Sequence, residues 1–416
     1  MPVPNHIRDT IVDIRAYSDG RIYDAYKWLR ANDPLGHVAA EGYDPFRVVT
    51  RHADIQEISR QNDLFTNGPQ SILFSQAHIE QTVRESGGVT VKSLIQMDAA
   101  EHTAYRGLTN AWFQPGNIKH LEGRIRELAR DAVDRMASFD GRCDFVGEIA
   151  LHYPLLVIME ILGLPEADEP LMLKLTQGLF GAADPDELDA EGKPPVRETD
   201  RAALFEMMMY FNKLTEDRRA NPTGDLASTI ANGTIDGQPL DPLAMMGYYI
   251  IVATAGHDTT SSSTAGAMWA LAQDPAQFAQ LKADPSLIGP MIDEAIRWTT
   301  PVKHFMRTAT EDCEVGGQKI DKGDWLMLCY GSANRDEAVF PDPESFRIDR
   351  KPNRHVAFGY GAHLCLGQYL ARMEMRILFE ELLPRLEAVE LDGNAKMSAA
   401  TFVNGPIRLP IRYTMN

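Results

Sequence analysis

Cysteine is scarce in this chain. There are four, Cys143, Cys313, Cys329 and Cys365, far apart and with no C-x-x-C pair. A disulfide framework, a zinc site and an iron–sulfur cluster are excluded on that ground. Long apolar runs are also missing. The longest, such as "PLLVIMEILGL", fall well short of the ~20 residues that a membrane span needs. The first residues, "MPVPNHIRDTIVDIRAYSDG", lack a basic region followed by an apolar stretch, so neither signal peptide nor anchor is expected and the protein reads as cytoplasmic. Positive charge is in deficit: 41 Lys and Arg against 59 Asp and Glu leave a formal charge of -18. That balance argues against general nucleic-acid or anionic-membrane binding. No G-x-G-x-x-G follows a strand, which excludes a built-in flavin or nicotinamide fingerprint. No Gly/Ser-rich or Pro-rich linker and no solenoid-length repeat divides the 416 residues, so residues 1–416 read as one large domain.

What is present is helix. Apolar residues recur at helical spacing in "RIYDAYKWLRAN", "HADIQEISRQ", "EHTAYRGLTNAWF", "IKHLEGRIRELARDAVDRMASF", "PSLIGPMIDEAIRWT" and "GQYLARMEMRILFEELLPRL". Short strand-like pieces sit between turn signals: "FRVVT", the hairpin-like "CEVGGQKIDKGDWLMLCY" and "RLPIRYT". The fold class is therefore mainly α with small β-sheets (α+β). The acidic, proline-containing segment 181–200 reads as a surface loop, with a mobile lid as the sharper reading.

Two stretches depart from this pattern. One long helix is expected over "YYIIVATAGHDTTSSSTAGAMWALAQ", Tyr248 to Gln273, and its centre is a run of polar residues with poor helix propensity. The other is "FGYGAHLCLGQYLARMEMR". Here glycines surround Cys365 and a helix begins just after it, so backbone can approach a partner closely and the helix dipole favours a thiolate. A buried structural cysteine fits Cys143, Cys313 and Cys329; it does not explain Phe358, Gly359, Gly361 and Gly367 at these spacings.

The pattern F-x-x-G-x-x-x-C-x-G, filled by Phe358, Gly361, Cys365 and Gly367, resembles the haem-binding loop of the cytochrome P-450 family. Two more segments occur in that family's order: Glu294-Ala295-Ile296-Arg297, and Ala255-Gly256-His257-Asp258-Thr259. The resemblance implies a triangular helical domain enclosing haem b, with Cys365 as the iron ligand. It implies that Glu294 and Arg297 form a structural network joined by a residue of "FPDPESFRIDR". It gives Thr259 the role of oxygen-side alcohol and Asp258 that of proton-relay acid, with Ala255 and Gly256 leaving room over the haem. His257 fills a variable position and reads as a hydrogen-bonding spacer; Thr260 to Thr264 read as packing residues. His102, Arg106, Arg307 and His363 match positions that hold the haem propionates.

The same resemblance carries Phe74, Ile95, Thr254, Ala255, Val302, Phe305, Phe402 and Val403 over as substrate-pocket residues. Segments such as "HTAYRGLT" and "TAGHDTTSSS" look most like the bacterial terpene-hydroxylating branch that includes the α-terpineol hydroxylase. That implies a monomeric monooxygenase acting on a monoterpenoid or alkyl aromatic. Electrons are expected from NAD(P)H through a reductase and a ferredoxin docking near Lys119, Arg354, Arg372 and Arg376. A haem-thiolate peroxygenase and a non-catalytic haem binder are the alternatives; the Asp258–Thr259 pair argues against both.

Overall fold

The computed structural model describes residues 3–86, 91–180, 183–189 and 199–416. The expected helices form where the apolar spacing puts them. Those that build the site are α1 (Ala99–Asn110), α2 (His152–Leu162), α3 (Glu169–Phe180), α4 (Pro242–Ala255), α5 (Asp258–Gln273), α6 (Ile288–Thr299) and α7 (Gln368–Leu382). Helix α4 starts on Asp241, whose carboxylate accepts from the backbone N–H groups of Leu243 and Ala244, with Pro242 at the first helical position. Helix α5 is buried on nearly every face from Thr260 to Met268, so the core wraps around it.

The strands are short. β1 (His37–Val38), β2 (Phe46–Val49), β3 (Phe65–Thr66), β4 (His304–Ala309) and β5 (Trp325–Cys329) form one sheet in the order β1-β2-β5-β4-β3. β5 runs parallel to β2 and antiparallel to β4, with Leu326 opposite both Arg47 and Arg307. "CEVGGQKIDKGDWLMLCY" divides further than its two runs suggest: Cys313–Val315 and Gln318–Ile320 make the hairpin, and β5 joins the large sheet. Near the C-terminus, β6 (Lys396–Met397) and β7 (Pro406–Arg408) pair as a second hairpin. No helix among the described residues is long and apolar enough to cross a membrane.

One expectation needs correcting. Tyr248 to Gln273 is not one continuous helix: it breaks between α4 and α5 at Gly256 and His257. The Thr259 hydroxyl donates to the Ala255 carbonyl at 2.7 Å, and the Thr254 hydroxyl to the Ile250 carbonyl, also at 2.7 Å. Such side-chain bonds to the i-4 carbonyl bend helices. Within 181–200, residues 183–189 lie at the surface and contact the segment 396–399. Lys396 on β6 bridges Asp184 at 3.0 Å and Asp186 at 2.6 Å, and the Ala399 N–H donates to the Ala183 carbonyl. Thr199 and Asp200 begin the helix Thr199–Ala220, and the remainder of the segment lies outside the described residues.

Candidate active site

The cysteine loop is fixed by its glycines, for different reasons. Gly359 and Gly361 have φ of +72° and +73°, in the left-handed region. A Cβ on Gly361 would also lie 1.9 Å from the Ser59 carbonyl oxygen, so that position admits no side chain. Gly367 differs: a Cβ there meets no protein atom within 4 Å. The Cys365 N–H donates to the Phe358 carbonyl at 2.8 Å, which closes the loop. Burial pushes the Cys365 thiol up; the N–H groups of Gly367 and Gln368 at the start of α7, with Arg106 and Arg372, pull the other way. The Arg372 guanidinium lies 4.5 Å above the Phe358 ring, which holds that ring in place.

Helix α1 brings two residues to this loop from far away in sequence. His102 lies against His363, ring centroids 4.0 Å apart. Arg106, one turn on, donates from Nη2 to the Leu364 carbonyl at 2.7 Å. Arg307 reaches in from β4 and bonds the Met306 carbonyl. So the structure brings His102, Arg106, Arg307 and His363 together beside Cys365. Asn67, which the sequence did not single out, joins them: its amide lies 3.3 Å from His363 Nδ1. Among the described residues no carboxylate forms an ion pair with Arg106 or Arg307. Burial and the neighbouring cations push both imidazoles down.

Asp258 and Thr259 open α5 just past the break. Ala255 and Thr259, one turn apart, lie on the same open face, while Ala253, Thr254, His257 and Thr260 are buried. Asp258 Oδ1 accepts from the Gln177 amide of α3 at 2.7 Å, and Oδ2 is buried without a partner. Burial raises this carboxyl to about 7, with the Gln177 bond opposing. His257 is wholly buried between the Leu151 carbonyl and the Thr176 hydroxyl, at 2.8 and 3.2 Å, and burial holds it down at about 4. Gly256 corrects the reading that it makes room over the haem. A Cβ there would lie 2.2 Å from Ile158 Cδ1, so its smallness serves the packing of α2 against the long helix.

The pocket residues divide. Val302 and Val403 pair in a β-bridge, and the Phe305 and Phe402 rings meet at 5.3 Å beside them. Thr254 is buried with its hydroxyl turned back on its own helix, and Ile95 sits in a short 3-10 turn. Phe74 stands apart, 38 % exposed and stacked on His78.

Glu294 and Arg297 do form a buried network, and Arg350 is the third member. Arg297 bonds both Glu294 oxygens at 2.7 and 2.8 Å, and Arg350 Nε lies 3.0 Å from each. Asn353 and the Arg347 N–H complete the shell around that carboxylate.

The sequence profile described as "Cytochrome P450" matches residues 197–409. Cytochrome P450-terp of a Pseudomonas species is 50 % identical to the chain over 421 aligned positions, covering 99 % of this chain and 98 % of that one. The chain is a cytochrome P450. Linalool 8-monooxygenase of Pseudomonas putida is 34 % identical, over 92 % of this cytochrome P450 and 93 % of its own length. The crystal structure of CYP108D1 from Novosphingobium aromaticivorans DSM12444 superposes with a TM-score of 0.92, at 43 % identity and full coverage of both chains.

Cytochromes P450 of this kind are haem-thiolate monooxygenases with haem b, and the residues present fit that group. A cluster of two arginines and two histidines, with His102 and Arg307 buried and Arg106 and His363 half-buried, has no paired carboxylate among the described residues and suits the two propionates. The open face at Ala255 and Thr259, against buried neighbours, suits a flat group beside the helix. The empty space at Gly367, next to the sulfur, suits it too. Cys365 would supply the soft anionic ligand.

Proposed function

We propose that this cytochrome P450 hydroxylates a compact, apolar terpenoid, with electrons from NAD(P)H delivered through a reductase and a small ferredoxin to the monomeric enzyme. The observation that carries the substrate class is the full-length 50 % identity to Cytochrome P450-terp; the name of linalool 8-monooxygenase points the same way. The apolar lining by Val302, Phe305, Phe402 and Val403 suits such a ligand and offers it no charge.

Bound haem supplies the activation of dioxygen, which with two electrons and two protons yields hydroxylated product and water. The chain has four tasks around it. His102, Arg106, Arg307 and His363 hold the propionates. Cys365, held by Gly361 and the start of α7, presents its sulfur. Asp258 keeps Oδ2 free and titrates near neutrality, so it can both hold a proton and release one. Thr259 presents Oγ1 on the open face, one residue away. Its lone pairs can accept from the Asp258 side while its proton turns from the Ala255 carbonyl toward the oxygen site.

Ferredoxin docking draws on a cleft of about 670 Å³ beside α7, lined by Lys119, Lys351, Arg372 and Arg376 together with Glu122 and Asp293. The patch is more mixed than its cations alone suggest. Arg372 pairs with Asp293 at 2.8 Å, and Arg376 with Glu122 and Glu380 at 3.2 and 2.6 Å. Arg354 is exposed outside the cleft lining. Lys119 and Lys351 have no ion-pair partner among the described residues, so a cationic surplus persists there on a chain of net charge -18. An acidic partner is steered to such a spot.

A screen of the haem spin-state shift with monoterpenoids, alkylbenzenes, polycyclic aromatics and steroids tests the substrate. Monoterpenoids are expected to give the largest shift; a shift with steroids alone would overturn the reading. Thr259→Ala tests the relay. Product per NADH consumed is expected to fall several-fold while peroxide rises and substrate binding holds. Unchanged coupling would remove Thr259 from the mechanism.

A further inference from the structure

Two consecutive residues of α3 grip two consecutive residues at the break in the long helix. Thr176 meets His257, and Gln177 meets Asp258. His257 Nε2 faces the Leu151 carbonyl, so that nitrogen carries the proton and Nδ1 is left as an acceptor toward Thr176. The imidazole is therefore neutral where Nδ1 comes within 3.6 Å of Asp258 Oδ1. The other titratable groups around Asp258 bring no positive charge to it. On the α2 and α3 side, His152 is paired with Glu169. On the α7 side, Glu374 is buried, and burial pushes its carboxyl up with Thr260 opposing. The Gln177 amide is the one side-chain hydrogen bond that Asp258 receives among the described residues.

We propose that Gln177 is the positioning residue of the proton relay: its neutral amide tethers Asp258 at Oδ1 and leaves Oδ2 free to pass a proton. This rests on the reading of Asp258 as the relay acid. One proton leaves Oδ2 toward Thr259 or an intervening water, and one returns to the carboxyl from solvent by way of intervening water, since Oδ2 itself is buried; no electron moves on these residues. A lysine in place of Gln177 would set a cation against the carboxylate and hold it ionised. A leucine would remove the single donor and hold it protonated. An amide stands between these limits, which keeps the group able to cycle near neutral pH.

The test uses the full-length, haem-loaded, substrate-free protein. The carboxylic-acid C=O stretch of Asp258, identified by its loss in Asp258→Asn, is followed by infrared difference spectroscopy against pH. Gln177→Lys is expected to move the midpoint down and Gln177→Leu up, by about one pH unit or more each. Gln177→Glu, which keeps the shape, is expected to move it up and serves if the leucine variant folds poorly. The pH profile of product per electron should shift in the same directions with KM nearly constant. Equal midpoints in all variants would overturn the proposal and leave Gln177 as packing between α3 and α5. Midpoints that move while the product profile stays fixed would instead overturn the relay role of Asp258.

Discussion

Gly256→Ala separates two explanations of a glycine over the active site. If that glycine made room for dioxygen, a methyl group there would impair chemistry and leave stability alone. The structure argues the reverse. The new Cβ would stand 2.2 Å from Ile158 Cδ1 and 2.9 Å from Cγ1. Carbon atoms pack at ~3.5–4.0 Å, so the Ile158 side chain must retreat by more than an ångström. Ile158 is 3 % exposed and has little free volume to enter. Overpacking of this kind costs ~1–3 kcal/mol. Replacing a helical glycine by alanine returns ~0.5–1 kcal/mol. The net is a loss of up to about 2.5 kcal/mol, centred near 1 kcal/mol, read from urea unfolding of the haem-loaded protein. Ile158→Val deletes the clashing Cδ1 and alone costs ~0.5–1.5 kcal/mol. The double variant should then lose about 1 kcal/mol less than the sum of the two single losses, a coupling expected for residues in contact. Additive losses, or an unchanged stability accompanied by a drop in product per NADH, would refute the packing argument and restore the dioxygen one.

Glu294→Ala should be far more damaging than loss of a surface ion pair, because it leaves Arg297 and Arg350, 0 % and 4 % exposed, without their shared carboxylate. Breaking a buried pair costs ~3–5 kcal/mol. In a chain of this length that is a fall of roughly 3–6 °C in Tm by calorimetry, and an unchanged Tm would show the network to be dispensable. The pH dependence of stability carries opposed contributions from buried groups. His257 and His304 are held at about 4 by burial, below the ordinary 6.5, so each favours the fold above pH 6.5 and loses that contribution as pH falls toward 4. Asp258, raised to about 7 from 3.8, binds its proton more tightly when folded and offsets one histidine over the same window. A group bound to a proton in one state and not the other contributes a slope of about 1.4 kcal/mol per pH unit within its window. His304→Gln should lower the slope between pH 6.5 and 4 by about that much in urea titrations, and an unaltered slope would place the acid sensitivity elsewhere.

Much of this was open to reading in the sequence. The cysteine loop advertises itself because several glycines, an aromatic residue and a helix start must coincide around one thiol. Glu294 and Arg297 lie within one helical turn, so their pairing is local. Their third partner was not legible, because Arg347 and Arg350 sit in the same short segment and only the tertiary path decides which one turns inward. Ile158 as the reason for Gly256 was hidden for a like reason: nothing in "AGHDT" names the helix packed across it. Gln177 in "LMLKLTQGLF" looks like any polar residue on an amphipathic helix. A glutamine beside Thr176 on a mostly apolar helix was the available signal, and it is a weak one. The pairing of Lys396 with Asp184 and Asp186 joins segments about half the chain apart, and no local pattern foretells it.

The break in the long helix shows how these contacts cooperate. Poor helix propensity along the Thr and Ser run does not cause it, since Thr260 to Thr264 sit in regular α5. The irregular residues are the ones that other segments hold. Gly256 is pressed by Ile158 of α2, His257 is fixed by Leu151 and Thr176, and Asp258 is tethered by Gln177 of α3. Thr259 then takes the Ala255 carbonyl that the bend has freed. Each of four successive residues answers to a different neighbour, and together they leave Ala255 and Thr259 on the one open face. A helix of ideal geometry would spend its backbone acceptors internally. The bend turns one of them into a resting place for the Thr259 proton, one residue from a carboxyl poised near neutrality. The polar centre of the helix is therefore stabilised from outside, by α2 and α3, and the proposed relay depends on those packing contacts as much as on Asp258 and Thr259 themselves.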